Sequence, residues 1–217
     1  MSDIFQEVDE EVRREQFKKL WERWGNYILA AAIVVVLAIA GWRAWDWWET
    51  KKAQQAGAAF EAAQALVQSG KHEEAEAAFV KLAEDAPGSY RTLAQFGAAG
   101  ELARRDPAAA VKAYDGIAAD ARVGRVLQDL AALRAGLLLV DSAPLNEIQS
   151  RLEPLTATDR PFRHSARELI AVAAWRVGDV ATARRWFDMI VTDAETPSGT
   201  RSRIEMLMAL ADGDRKG

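Results

Sequence analysis

Between Arg23 and Arg43 lie 19 residues, Trp24 to Trp42, without one charged side chain (WGNYILAAAIVVVLAIAGW). A helix rises about 1.5 Å per residue, so the run approaches the ~20 residues needed to cross about 30 Å of hydrocarbon. Ile28, Leu29, Ile33, Val34, Val35, Val36, Leu37 and Ile39 are spread around the whole helix. A helix on the surface of a globular domain keeps a polar face, and this one has none. The run therefore reads as an uncleaved membrane anchor. Two alternatives stay open on the residues alone: a buried core helix, and an export signal cut after Ala40, since Ala38-Ile39-Ala40 fits the small-x-small cleavage pattern. Against a signal, the preceding segment carries Asp3, Glu7, Asp9, Glu10, Glu11, Glu15 and Glu22, whereas the stretch before a signal's apolar core is short and positive.

The tryptophans favour the anchor. Trp21 and Trp24 stand at one end of the run, Trp42, Trp45, Trp47 and Trp48 at the other, six of the eight in the chain. Indole rings collect at the two interfaces of a bilayer, and Arg43 can send its guanidinium to the headgroups while its stem covers apolar surface. These six tryptophans and Arg43 are the candidate membrane-interface residues. Arg13, Arg14, Lys18, Lys19 and Arg23 precede the run, against Arg43, Lys51 and Lys52 after it. Positive residues stay on the cytoplasmic side, so the N-terminus is expected in the cytoplasm and the bulk of the chain across the membrane. Residues 1–23 place Ile4, Phe5, Val8, Val12, Phe17, Leu20 and Trp21 mostly three and four apart. That is an amphipathic helix, either resting at the interface or binding a partner.

The remainder is expected to be all-α. Half of the chain is hydrophobic and there are 6 prolines in 217 residues; alanine dominates, and it loses least on entering a helix. A net charge of −4, with acids and bases interspersed, disfavours nucleic acid as a partner. The absence of cysteine removes disulfides, thiolate metal sites and thiol catalysis. Helical hairpins are expected from Lys51 to Pro87, with Gly70 closing the first helix. A second follows over 91–120, with Asp106 and Pro107 as N-cap and first helical residue. A poorer hairpin covers 123–155, a fourth 163–197, and a last amphipathic helix 198–213.

The second helices repeat a pattern. Ala75, Phe79 and Leu82 recur as Ala110, Tyr114 and Ile117, and again as Ala183, Phe187 and Ile190. The step is close to the ~34-residue tetratricopeptide period, with one degenerate unit (Ile148, Leu152, Leu155) between. A small residue lets the two helices of a hairpin approach, and the aromatic one turn on fills the groove between hairpins. The expected fold is thus a single transmembrane helix followed by a tetratricopeptide-like hairpin solenoid, the alternative being an irregular Ala-rich bundle. The expected segments are 1–23, a cytoplasmic amphipathic stretch, 24–48, the anchor with its aromatic belts, and 49–217, the repeat domain.

No catalytic, cofactor or metal site is expected. His72 lies at a hairpin turn, and His164 with Ser165 and Glu168 are neighbours on one helix, which cannot assemble a triad around an oxyanion hole. There is no nucleophile elbow, phosphate loop or metal-ligand spacing. Trp175 and Trp186 are expected in the core, with docking of a peptide as the other use of a tryptophan.

The run GWRAWD at 41–46, closing an apolar span ahead of Ala-rich hairpins, and VGDVATARRWFDMIV at 177–191 resemble the YfgM-like family of tetratricopeptide proteins. That resemblance implies a bitopic protein of the bacterial inner membrane with a periplasmic repeat domain. It would stand beside a SecYEG-type translocon and a PpiD-like membrane chaperone, assisting Sec-dependent export or periplasmic folding without being an enzyme. A scaffold for another envelope complex, such as cytochrome maturation or division, is the alternative. The longer, more acidic N-terminal segment and the degenerate third unit depart from the family pattern. First helices line the concave face in such proteins. Carried over, this makes Phe60, Gln64 and Val67, then Thr92, Gln95 and Leu102, then Glu168, Val172 and Trp175 the candidate peptide-groove residues.

Overall fold

The structure, a computed structural model, describes residues 3–213. Side chains of 3–17, 19, 20, 22 and 210–213 lie outside the described set, and with them most of the amphipathic pattern expected over 1–23. Nine α-helices run along the described residues, with no strand: α1 Asp3–Gln68, α2 His72–Asp85, α3 Gly88–Leu102, α4 Pro107–Ala119, α5 Arg125–Leu139, α6 Leu145–Leu152, α7 Arg163–Arg176, α8 Val180–Val191 and α9 Ser198–Gly213. A 3₁₀ turn, Glu153–Leu155, follows α6. The chain divides into two compact units, 1–54 and 55–217.

In the first unit, every residue from 26 to 50 is exposed, and this helix is long and apolar enough to cross a membrane. Among the described residues, Ile28, Leu29 and the Val34–Leu37 run are all at least half exposed. Some of the interface candidates make ring contacts along the helix surface. Trp45 and Trp48 meet edge to face at 5.7 Å, and Trp24 lies 5.8 Å from Tyr27. The Lys52 ammonium stands 3.7 Å over the Trp48 ring, and that of Lys51 5.0 Å from Trp47, cation–π contacts that suit a water–headgroup boundary. Trp42 is 75% exposed, and the indole of Trp21 folds over Gly25.

The second unit is built from helix pairs, and their ends follow local chemistry. Gly70, at φ +77°, provides the left-handed residue that stops α1. Asp106 accepts a hydrogen bond from the Ala109 amide at 2.9 Å, with Pro107 as first helical residue; Asp179 does the same for Thr182 at 3.0 Å. The repeated triplets are buried throughout: Ala75, Phe79 and Leu82, Ala110, Tyr114 and Ile117, Ala183, Phe187 and Ile190, and in the degenerate unit Ile148, Leu152 and Leu155. They seed three apolar clusters, around Phe79, around Tyr114, and a larger one joining α6, α7 and α8. The most extensive packing is of α2 on α3, α4 on α5, and α7 on α8. Thus α3 packs more extensively on α2 of the preceding hairpin than on its own partner α4. Glycine makes three approaches close: a Cβ on Gly97 of α3 would meet the Phe79 ring at 2.8 Å, one on Gly136 of α5 would meet Leu152 at 2.8 Å, and one on Gly57 of α1 would meet the Tyr90 hydroxyl at 2.9 Å.

Candidate protein-binding groove

The end of α1, α3 and α5 wall a groove of about 470 Å³. Its floor is aromatic because each second helix delivers the ring of its triplet there: Phe79 from α2 and Tyr114 from α4. Phe60 tilts against Phe79 at 5.5 Å, and Phe96 against Tyr114 at 5.8 Å. Gly97 and Gly100 leave the α3 wall without side chains just where these rings approach. Leu93, Leu127 and Leu130 extend the apolar surface, and Leu93 keeps 40% of its area exposed.

Charge enters the groove at Glu101 and Arg134. Glu101 is occupied, since His72 Nδ1 lies 2.7 Å from its carboxylate. Arg134 is exposed, and among the described residues no hydrogen bond or ion pair holds its guanidinium. Burial pushes the Tyr114 hydroxyl up, and the positive field of Arg134 opposes that shift.

Of the nine candidate groove residues, Phe60, Gln64 and Val67 all line this groove. Thr92 and Gln95 line a separate depression of about 320 Å³ between the starts of α3 and α5. There Asp120 accepts from the Arg122 guanidinium at 2.8 and 3.0 Å and from its amide at 2.9 Å, which hold its pKa at about 2. Leu102 is half-buried at the end of α3, where its carbonyl receives the Asp106 amide. The α7 candidates face the C-terminal end of the unit. Glu168 takes two hydrogen bonds from Arg203 of α9, at 2.6 and 2.7 Å. Val172 packs on the α6–α8 core, and Trp175 meets Phe187 edge-on at 6.4 Å, beside Met208 of α9. Trp186 is buried.

Sequence reasoning missed Leu93, Phe96, Leu127, Leu130 and Arg134. On α3 the difference is one residue: Leu93 and Phe96 stand one step past Thr92 and Gln95, a rotation of about 100° around the helix. The signal was present in Phe96-Gly97 and Gly100, large beside small at helical spacing, opposite the triplet aromatics.

His164 belongs to a different cluster. Its Nδ1 lies 3.1 Å from Thr196 Oγ1 and 3.9 Å from Asp193. Arg167, almost fully buried, donates to Asp193 at 2.9 Å and to the Thr156 carbonyl at 2.9 Å; Arg163 donates to Asp193 at 3.1 Å and to Glu195. These bonds tie α7 to the chain before it and to the α8–α9 connection. Ser165 is the neighbour of His164 in the chain, while Glu168 is turned to Arg203.

A family model described as a tetratricopeptide repeat-like domain matches residues 18–209. Comparison with curated proteins and with solved structures returns no match. The chain belongs to the tetratricopeptide repeat-like domain family, whose members are typically protein-interaction modules.

Proposed function

We propose, taking that membership as the premise, that the protein is a membrane-anchored, non-enzymatic binding module which captures segments of other proteins in the groove between α1, α3 and α5. The observation that carries this reading is the groove itself: about 470 Å³ with an aromatic floor left open by Gly97 and Gly100. Preformed walls lose little entropy on binding, so apolar contact is converted into affinity efficiently. Phe60, Gln64 and Val67 would touch the captured segment, Thr92 and Gln95 a flanking part of it. Leu102, Glu168, Val172 and Trp175 complete the proposed surface where α9 or a neighbouring turn leaves them access.

The finer reading places the chain in a bacterial inner membrane, anchored by 24–48, with its repeats in the periplasm beside a SecYEG-type translocon and a PpiD-like chaperone. An anchor confines the module to the membrane surface and raises its effective concentration near such a partner. That would let it hold proteins emerging from the channel until a chaperone takes them. Support comes from the exposed apolar run of α1 with its tryptophan borders, and from the resemblance of GWRAWD and VGDVATARRWFDMIV to the YfgM-like family.

The test is site-specific photo-crosslinking in living cells, from a photoreactive residue at Gln64 or Leu93 and, as control, at the exposed Ser150 region of α6. Adducts with translocon or chaperone subunits from the groove positions alone are expected. Strong adducts with a single cytochrome-maturation or division assembly, and none with those subunits, would replace the export reading with the scaffold reading.

A further inference from the structure

We infer that the groove is built for an apolar segment carrying one acidic side chain, whose carboxylate is read by Arg134. This rests on the groove reading above and specifies its occupant.

Two observations carry it. The floor and walls are apolar over most of their length: Phe60, Phe79, Phe96 and Tyr114 with the leucines of α3 and α5. A fully polar or strongly charged segment would lose hydration there without recovering it. Against that surface the one charged group without a partner among the described residues is positive. Glu101 is taken by His72 at 2.7 Å, while Arg134 has no hydrogen-bond or ion-pair partner among the described residues. Gln64 and Gln68, exposed on the α1 wall, add neutral amides and no second cation. A guanidinium beside an apolar floor favours a carboxylate, because its fork of donors matches two carboxylate oxygens. One cation also fits one acid: a segment ending in several acidic groups would leave the others unpaired over an apolar floor. We assign that one carboxylate to a side chain within the segment, and the titration below separates it from a free terminus.

The full-length protein in detergent micelles is titrated with two labelled peptides, identical Phe- and Leu-bearing segments with amidated ends, one containing Glu and the other Gln at a single position. Fluorescence anisotropy should show the Glu peptide binding about fivefold more tightly, as expected for a partly exposed charge pair. Arg134→Gln should abolish that preference, so that the two peptides bind the variant equally. Equal binding of the two peptides to the native chain, or a preference that survives Arg134→Gln, would overturn the inference. Binding that appears only when the peptide's terminal carboxylate is left free would overturn it as well, in favour of a terminal group.

Failure of the groove reading looks different. Gly100→Leu should fill the groove, because a Cβ at Gly100 meets only the Tyr114 hydroxyl, at 3.6 Å. Leu93→Ser removes an exposed wall residue, should weaken both peptides, and serves if Gly100→Leu does not fold. If neither peptide binds, or if both bind undiminished to these variants, the groove is not the site and the Arg134 inference falls with it. Loss of binding in the variants together with equal Glu and Gln affinities in the native chain would overturn the inference alone.

Discussion

At the scale of single residues, two glycines three positions apart on α3 should respond in opposite directions. Gly97 faces the Phe79 ring so closely that a Cβ would sit 2.8–2.9 Å from three ring atoms, whereas Gly100 has room. Neither has a positive φ. Gly100→Ala should therefore stabilise the protein by about 0.5–1 kcal/mol through helix propensity. Gly97→Ala should cost about 1–3 kcal/mol, because the ring must shift within a packed core. Urea unfolding followed by circular dichroism reads both, and equal signs for the two would contradict the packing described.

His164 gives a pH dependence at the same scale. Burial first, then the positive field of Arg163, lowers its pKa below the usual value, with Asp193 opposing and Arg167 adding. The folded protein then holds His164 neutral where the unfolded chain, titrating near ~6.5, is already taking up protons. Its contribution is fully present above that value, is lost as pH falls through it, and levels off below the folded pKa. Asp193 is held well below the usual carboxylate range, chiefly by the Arg163 hydrogen bond, so its own loss begins only below pH ~4 and the two windows separate. The difference in unfolding midpoint between the native chain and His164→Asn should therefore change between pH ~7 and ~5. A flat difference would mean the imidazole is not desolvated by α7 and the α8–α9 connection.

At the scale of helices, the start of α4 is the simplest test of how local chemistry sets the element. Asp106→Ala removes the acceptor of the Ala109 amide and should cost about 1 kcal/mol, while Asp106→Asn should restore most of it. This helix start was legible because Asp-Pro is a statement about adjacent residues. The buried triplets were legible for a related reason, since a small, aromatic, aliphatic series at a fixed period reports the face that each second helix must bury. The groove face of α3 was not. Leu93, Ala94, Phe96 and Ala99 put apolar groups on several sides of it, and its rotation is decided by Gly97 closing on Phe79, a contact between different helices. Phe60, Gln64 and Val67, carried over from the family resemblance, line the groove on a stretch of α1 whose buried positions are Ala56 and Ala63. The covering of Glu168 and Trp175 was likewise hidden, for it depends on α9 docking through Arg203 and Met208.

At the scale of the whole molecule, what must be explained is a continuous exposed apolar run, where the described helices of the second unit expose only scattered apolar side chains. Ile28, Leu29, Ile33 and Val34–Leu37 are each at least half exposed. Leaving such side chains in water forfeits about 1.5–3 kcal/mol apiece relative to burial, so a stable protein places them in another apolar medium. On the reading proposed above a bilayer would supply it, and the bias of Lys and Arg toward the segment before the apolar run would set the direction. The chain has no cysteine, so one introduced at the exposed Ser202 of α9 reports on α9 alone. An impermeant maleimide should label it in intact spheroplasts. Labelling only after lysis would put the repeats in the cytoplasm and turn the search for groove partners to that side. Alkaline carbonate extraction separates the remaining alternative: an anchored chain stays with the membrane and keeps an epitope placed ahead of Trp21, whereas a chain cut after Ala40 is released and loses it. Retention with labelling is the expected pair, because a helix with no polar face and tryptophans at both ends is at its lowest free energy where water begins and ends around it.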